Sequence, residues 1–187
     1  MASGRARFGA SLALAVAATF VPTVTSTASA VPAPTSVIIS SSRATSVPVR
    51  VTPSAASTRL AMLRNPLARG RLVMAIAARY RGVPYRAGGT SPRSGFDCSG
   101  YTRYVFAQLG IRIPRVSRQQ YASMIHISRA QAVPGDLVFF HSGSGWVYHA
   151  AIYAGADTVW HSPFPGRRVT RERIWTSAIY FARVRVA

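Results

Sequence analysis

The chain has 187 residues, 49% of them hydrophobic, with 23 basic residues against four acidic ones and a formal net charge of +19 at pH 7. All the basic residues are arginines, and the single cysteine, Cys98, excludes an internal disulfide and leaves a buried, intermolecular or reactive thiol. A field of this sign favours polyanions, whether nucleic acid or wall polymers, but no basic run exceeds Arg167-Arg168, so a specific nucleic-acid role is not expected.

Residues 1–30 have the three parts of a secretory signal: Arg5 and Arg7, an apolar run from Ala10 to Val21, and the small-x-small site Ala28-Ser29-Ala30. The apolar run is shorter than the roughly 20 residues of a membrane span. Release after Ala30 is therefore expected, an uncleaved anchor being the alternative, and no later stretch is long and apolar enough to cross a bilayer. Export makes anionic wall polymers the better match to the charge. It also makes an unpaired cysteine worth explaining, because exported proteins use cysteines in pairs.

Residues 31–65 are rich in Ser, Thr, Pro and Ala, show no sustained helical period, and read as a flexible linker. The domain is expected to occupy residues 66–187. Asn65 as cap and Pro66 in the first turn start a helix whose apolar positions Leu67, Val73, Ile76, Ala77 and Tyr80 predict a buried face, and Gly82 with Pro84 ends it. A second helix begins at Cys98, with Tyr101, Val105 and Leu109 at helical spacing and Gly110 as its stop. The period then changes. Residues 136–140, 148–153, 158–161 and 180–186 are short β-branched or aromatic runs separated by Gly, Pro and Ser. Helices first and strands afterwards predict an α+β fold with an antiparallel sheet. His126, in a polar helical stretch, and His141, in a Gly/Ser loop, read as surface residues.

Cys98 lies in the stretch Gly95 to Tyr101, GFDCSGY, directly after Asp97 and at the expected start of a helix. Unpaired N–H groups and the helix dipole favour the thiolate there, and one N–H is available for an oxyanion. The thiolate needs a base. In YHAAIYAGADTVWHSP a three-residue connection, Ala154-Gly155-Ala156, would set Tyr153 against Asp157, Ile152 against Thr158 and His149 against His161 on one face, with Cβ atoms roughly 4.5–5.5 Å apart. A two-residue turn would shift the register by one and spoil that pairing. On the favourable register His149 takes the thiol proton and His161 orients it, as the third member of a triad does. The plainer alternative is a polar sheet edge. A zinc site of Cys98, His149 and His161 is a weaker alternative, because no acid or second cysteine is spaced to help.

Five segments occur in the order found in the NlpC-type cysteine peptidases that cut bacterial peptidoglycan stem peptides: GVPYRAGGTSPRSGFDCSGYTRYVF, IPRVSRQQY, VPGDLVFF, YHAAIYAG and VWHSP. Residues 70 to 187 resemble that family. The resemblance implies a papain-like fold, with N-terminal helices packed on a central antiparallel sheet, and needs no cofactor or metal. It implies Cys98 as nucleophile, His149 as base, His161 as the orienting residue and Tyr85 beside the nucleophile, with Asp97 and Ser99 where relatives hold the amino end of the stem peptide. Gly88, Gly89 and Gly100 are read as sites of close backbone approach, and Pro134-Gly135-Asp136 as the turn into the first strand. Two departures bear on substrate choice: Arg86-Ala87 where the family often has an aromatic before the double glycine, and Ala150-Ala151 where it commonly has Val-Gly. The expected activity is a monomeric, secreted, wall-associated endopeptidase acting at the bond between D-glutamate and the diamino acid. A silent wall-binding module and a related amidase or acyltransferase are the rivals.

Overall fold

The computed structural model describes residues 53–186; the expected signal segment and the first part of the expected linker lie outside the described residues. The last part of that linker is not a linker. Ala55–Arg64 forms a helix, α1, capped by the Ser54 hydroxyl, which accepts from the Ser57 N–H at 3.2 Å. Ala, Leu, Met and Arg in AASTRLAMLR all favour helix. Its Leu63 joins the core, and Arg59 donates to the Leu109 carbonyl at 3.3 Å.

Asn65 closes α1 through its N–H to the Ala61 carbonyl and opens α2 (Pro66–Arg79) with its side chain, which accepts from Leu67 and Ala68. The buried face of α2 is Arg69, Gly70, Val73, Ile76 and Ala77, whereas Leu67 is exposed. Gly70 lies there because a Cβ would meet the Pro134 carbonyl oxygen at 2.0 Å. Two short strands, β1 (Thr90–Ser91) and β2 (Gly95–Phe96), form a small hairpin leading into α3 (Cys98–Ala107). Gly110 follows α3 with a φ of 78°, as its expected stop requires. A six-residue helix, α4 (Ser117–Ala122), precedes the sheet.

The strands are β3 (Ile125–Ile127), β4 (Leu137–His141), β5 (Val147–Gly155), β6 (Thr158–His161), β7 (Thr170–Arg173) and β8 (Ile179–Arg183). They form one antiparallel sheet in the order β3-β8-β4-β5-β6-β7. Two of them lie outside the expected runs: β3 has only three residues, with His126 in it rather than in a helix, and β7, Thr-Arg-Glu-Arg, has no apolar residue. In β4 the four residues Leu137 to Phe140 are all buried because the sheet is covered on both faces. Leu137 and Phe139 belong to the core beneath the helices with Phe96, Tyr101, Val105 and Phe106. Val138 and Phe140 face a second cluster with Ala151, Val159 and Phe181. The architecture is α+β, helices against a central antiparallel sheet, as expected.

Candidate active site

Cys98 is the first residue of α3, and the carboxylate of Asp97 caps that helix by accepting from the Gly100 N–H at 2.7 Å. The cap is locked from the side. A Cβ on Gly100 would fall 2.0 Å from the Gly89 oxygen, so the loop at residues 88–89 lies against the helix start and also supplies the Gly88 N–H to Asp97 at 3.1 Å. Gly88 itself has open space around it and is required for its φ of 73°. Arg115, from the segment before α4, grips Asp97 through two nitrogens at 2.5 and 3.0 Å and donates to the Ser99 hydroxyl at 3.0 Å. Asp97 and Ser99 thus brace the start of α3, the helix that carries Cys98. Arg115 lies in the IPRVSRQQY segment, where nothing in the sequence marks it as the partner of Asp97.

The histidines meet by a different register from the expected one. The β5–β6 hairpin has a two-residue turn, Ala156-Asp157, with φ of 47° and 54°, and Gly155 pairs with Thr158. Both φ values are positive, which matches the twist of the flanking strands. A bulge between Tyr153 and Gly155 then absorbs one residue, so Ile152 pairs with Trp160. Turn and bulge together shift the register by two rather than one. Parity is preserved, His161 stands opposite Ala151, and His149 is its diagonal neighbour on the same face, within reach of a ring. The contact is closed: His149 Nε2 and His161 Nδ1 are 2.9 Å apart, with both side chains buried.

The chain of contacts continues to residues that had no assigned role. His161 Nε2 lies 3.2 Å from Glu172 Oε2, and Arg167 donates to the other carboxylate oxygen. Glu172 is the one glutamate of the sequence, and it reaches His161 diagonally from β7, where Thr170 is the direct partner. Nothing in the sequence marks Glu172 as a partner of His161. Trp175 stacks on Phe140 at 4.0 Å between centroids and stands 5.3 Å from His161 and 5.9 Å from His149.

Cys98, Tyr85, His149 and His161 line one cavity of about 560 Å³, together with Glu172, Arg173, Trp175 and Phe164. Asp97 and Ser99 are not among its lining residues. Burial lowers the pKa of His149 to about 3, with the neighbouring His161 adding to the effect and Asp97 opposing it. Burial and then Arg167 lower His161 to about 4. Burial also raises Cys98; the N–H groups of Ala150 and Ser99 act the other way. At neutral pH the site therefore holds a neutral thiol beside two neutral imidazoles, where the helix N-terminus alone had pointed to a thiolate. Tyr85 is held protonated by burial and by its proximity to Cys98. Among the described residues no group of three or more His, Cys, Asp or Glu is arranged to hold a metal ion.

Residues 82–185 match the family model described as NlpC/P60 family. The chain belongs to the NlpC/P60 family. The p60 protein of Listeria monocytogenes, named a probable endopeptidase, is 54% identical over 83 residues, which is 44% of this chain and 17% of that one. The gamma-DL-glutamyl hydrolase of Bacillus subtilis is 48% identical over 82 residues, 43% of this chain and 20% of that protein. The chain thus spans a fifth or less of the length of these relatives. Among solved structures, the NlpC/p60 domain of the peptidoglycan hydrolase SagA is 42% identical with a TM-score of 0.55, covering 60% of this chain and 96% of that one. RipD from Mycobacterium tuberculosis, described as a non-catalytic NlpC/p60 domain protein adapted to peptidoglycan binding, is 30% identical with a TM-score of 0.52, covering 62% and 96%.

Proposed function

We propose that this NlpC/P60 protein is a cysteine endopeptidase of peptidoglycan stem peptides. The observation that carries the reading is the convergence of Cys98, His149 and His161 on one cavity, with the two imidazoles 2.9 Å apart. His149 Nδ1 takes the Cys98 proton as Sγ attacks the scissile carbonyl carbon, and the oxyanion gains an N–H at the start of α3 and the Tyr85 hydroxyl. The same histidine then protonates the leaving amine, and a water hydrolyses the thioester to regenerate the thiol. Because thiol and base both start neutral, the ion pair forms during attack, and His161 stabilises the imidazolium of His149.

The bond is that between D-glutamate and the diamino acid, a reading in keeping with the gamma-DL-glutamyl linkage that the Bacillus subtilis relative is named for. The protein is exported through residues 1–30 and works at the wall, where unpaired arginines attract anionic polymers. Digestion of soluble muropeptides of known structure, with mass spectrometry of the products, tests the bond. Release of the diamino acid with its downstream residues, leaving L-alanyl-D-glutamate on the sugar, is the expected result; a free lactyl-bearing sugar would mark an amidase instead.

A further inference from the structure

We propose that Glu172 is a positioning residue that fixes the tautomers of both histidines and thereby makes His149 a base. The inference rests on the Cys98–His149 chemistry proposed above and adds a fourth member to it.

A neutral imidazole donates from one nitrogen and accepts at the other, and both His149 and His161 are neutral at pH 7. The pair therefore has two self-consistent arrangements. In the productive one, His149 donates from Nε2 to Nδ1 of His161, and its Nδ1 keeps the lone pair that accepts the thiol proton. In the other, His161 donates from Nδ1 to Nε2 of His149, whose proton then sits on Nδ1 and blocks the thiol. Nothing within the pair itself selects between them.

Glu172 selects. A carboxylate only accepts, so its Oε2 at 3.2 Å requires a proton on His161 Nε2, which leaves His161 Nδ1 as an acceptor. That acceptor, 2.9 Å from His149 Nε2, requires the proton there. The lone pair of His149 is thus left at Nδ1. Arg167 supports the arrangement twice: it grips the other oxygen of Glu172, and its charge helps to keep His161 neutral. Trp175 packs beside both rings, its centroid 5.3 Å from that of His161 and 5.9 Å from that of His149. When His149 is protonated during attack, its Nε2–H still points at an acceptor, and the carboxylate charge lies at the far end of the chain.

The test uses the full chain, Glu172→Gln and Glu172→Ala. The amide of Gln both donates and accepts, so it removes the selection while keeping the shape. Imidazole nitrogen NMR at pH 7 reads the tautomers without any substrate. The wild type is expected to show His149 with Nε2 protonated and Nδ1 bare, and both variants a shift of population towards the opposite form. Cleavage of muropeptides by the variants is expected to fall about 10- to 100-fold in kcat, the range for partners that orient a reacting group, with KM moving less than about threefold. A wild-type His149 protonated on Nδ1, or variants that keep the wild-type tautomers, would overturn the proposal. If the wild type cleaves nothing, the peptidase reading fails, and the tautomer result still decides the role of Glu172.

Discussion

Cys98 and His149 show how far burial can override a local rule. The helix start was legible because Asp97 precedes the cysteine and Tyr101, Val105 and Leu109 follow at helical spacing. The protonation state was not, since it depends on what encloses the thiol. Burial holds His149 near 3 and His161 near 4. In the unfolded chain both titrate near 6.5. Between those values the unfolded state binds more protons, so stability rises with pH. The contribution is complete above about pH 6.5 and is lost progressively as the pH falls towards 3 to 4. The thermal midpoint is therefore expected to drop more steeply between about pH 7 and about pH 4.5 in the wild type than in His149→Gln. Parallel curves for the two proteins would contradict the buried neutral imidazole. Glu172 was hidden for a simpler reason: its pairing to His161 depends on β7, and Thr170-Arg171-Glu172-Arg173 has no apolar residue to mark a strand.

At the scale of elements, the α2 and α3 helices and the strands β4, β5, β6 and β8 were readable from caps and period. The β5–β6 hairpin was readable in parity but not in register, because the bulge near Ala154 carries no side-chain signature. Ala156 sits there with a φ of 47°, a conformation that L residues other than Asn and Asp rarely adopt. Ala156→Asn is expected to stabilise the protein by up to about 1 kcal/mol, read as a raised midpoint in chemical denaturation, with cleavage unchanged. A loss of stability would mean that the turn is not the two-residue form described. The α1 helix was missed because its Ser, Thr and Ala resemble the preceding segment, and what makes it part of the domain is the burial of Leu63 against residues distant in sequence.

Across the whole molecule the charge is organised more tightly than composition implies. Each of the four acids is paired with arginine: Asp97 with Arg115, Asp136 with Arg183, Asp157 with Arg129 and Glu172 with Arg167. Asp136 also lies 3.9 Å from the buried Arg69, and the arginines in excess of the acids leave the chain a formal net charge of +19. Affinity for a purified anionic wall polymer is accordingly expected to fall at least about tenfold between roughly 0.05 and 0.5 M NaCl, as the screening length shortens from above 10 Å to a few Å. Salt-independent binding, measured by sedimentation, would assign retention to specific contacts instead.

The most direct measurement is incubation of purified peptidoglycan with the protein and with Cys98→Ala, followed by mass spectrometry of the released fragments. The account predicts dipeptide-bearing fragments from the intact protein and a loss of about 10³-fold or more with Cys98→Ala, the scale seen when a nucleophile is removed. Equal release by both proteins, or binding to the wall by both with no release by either, would contradict it.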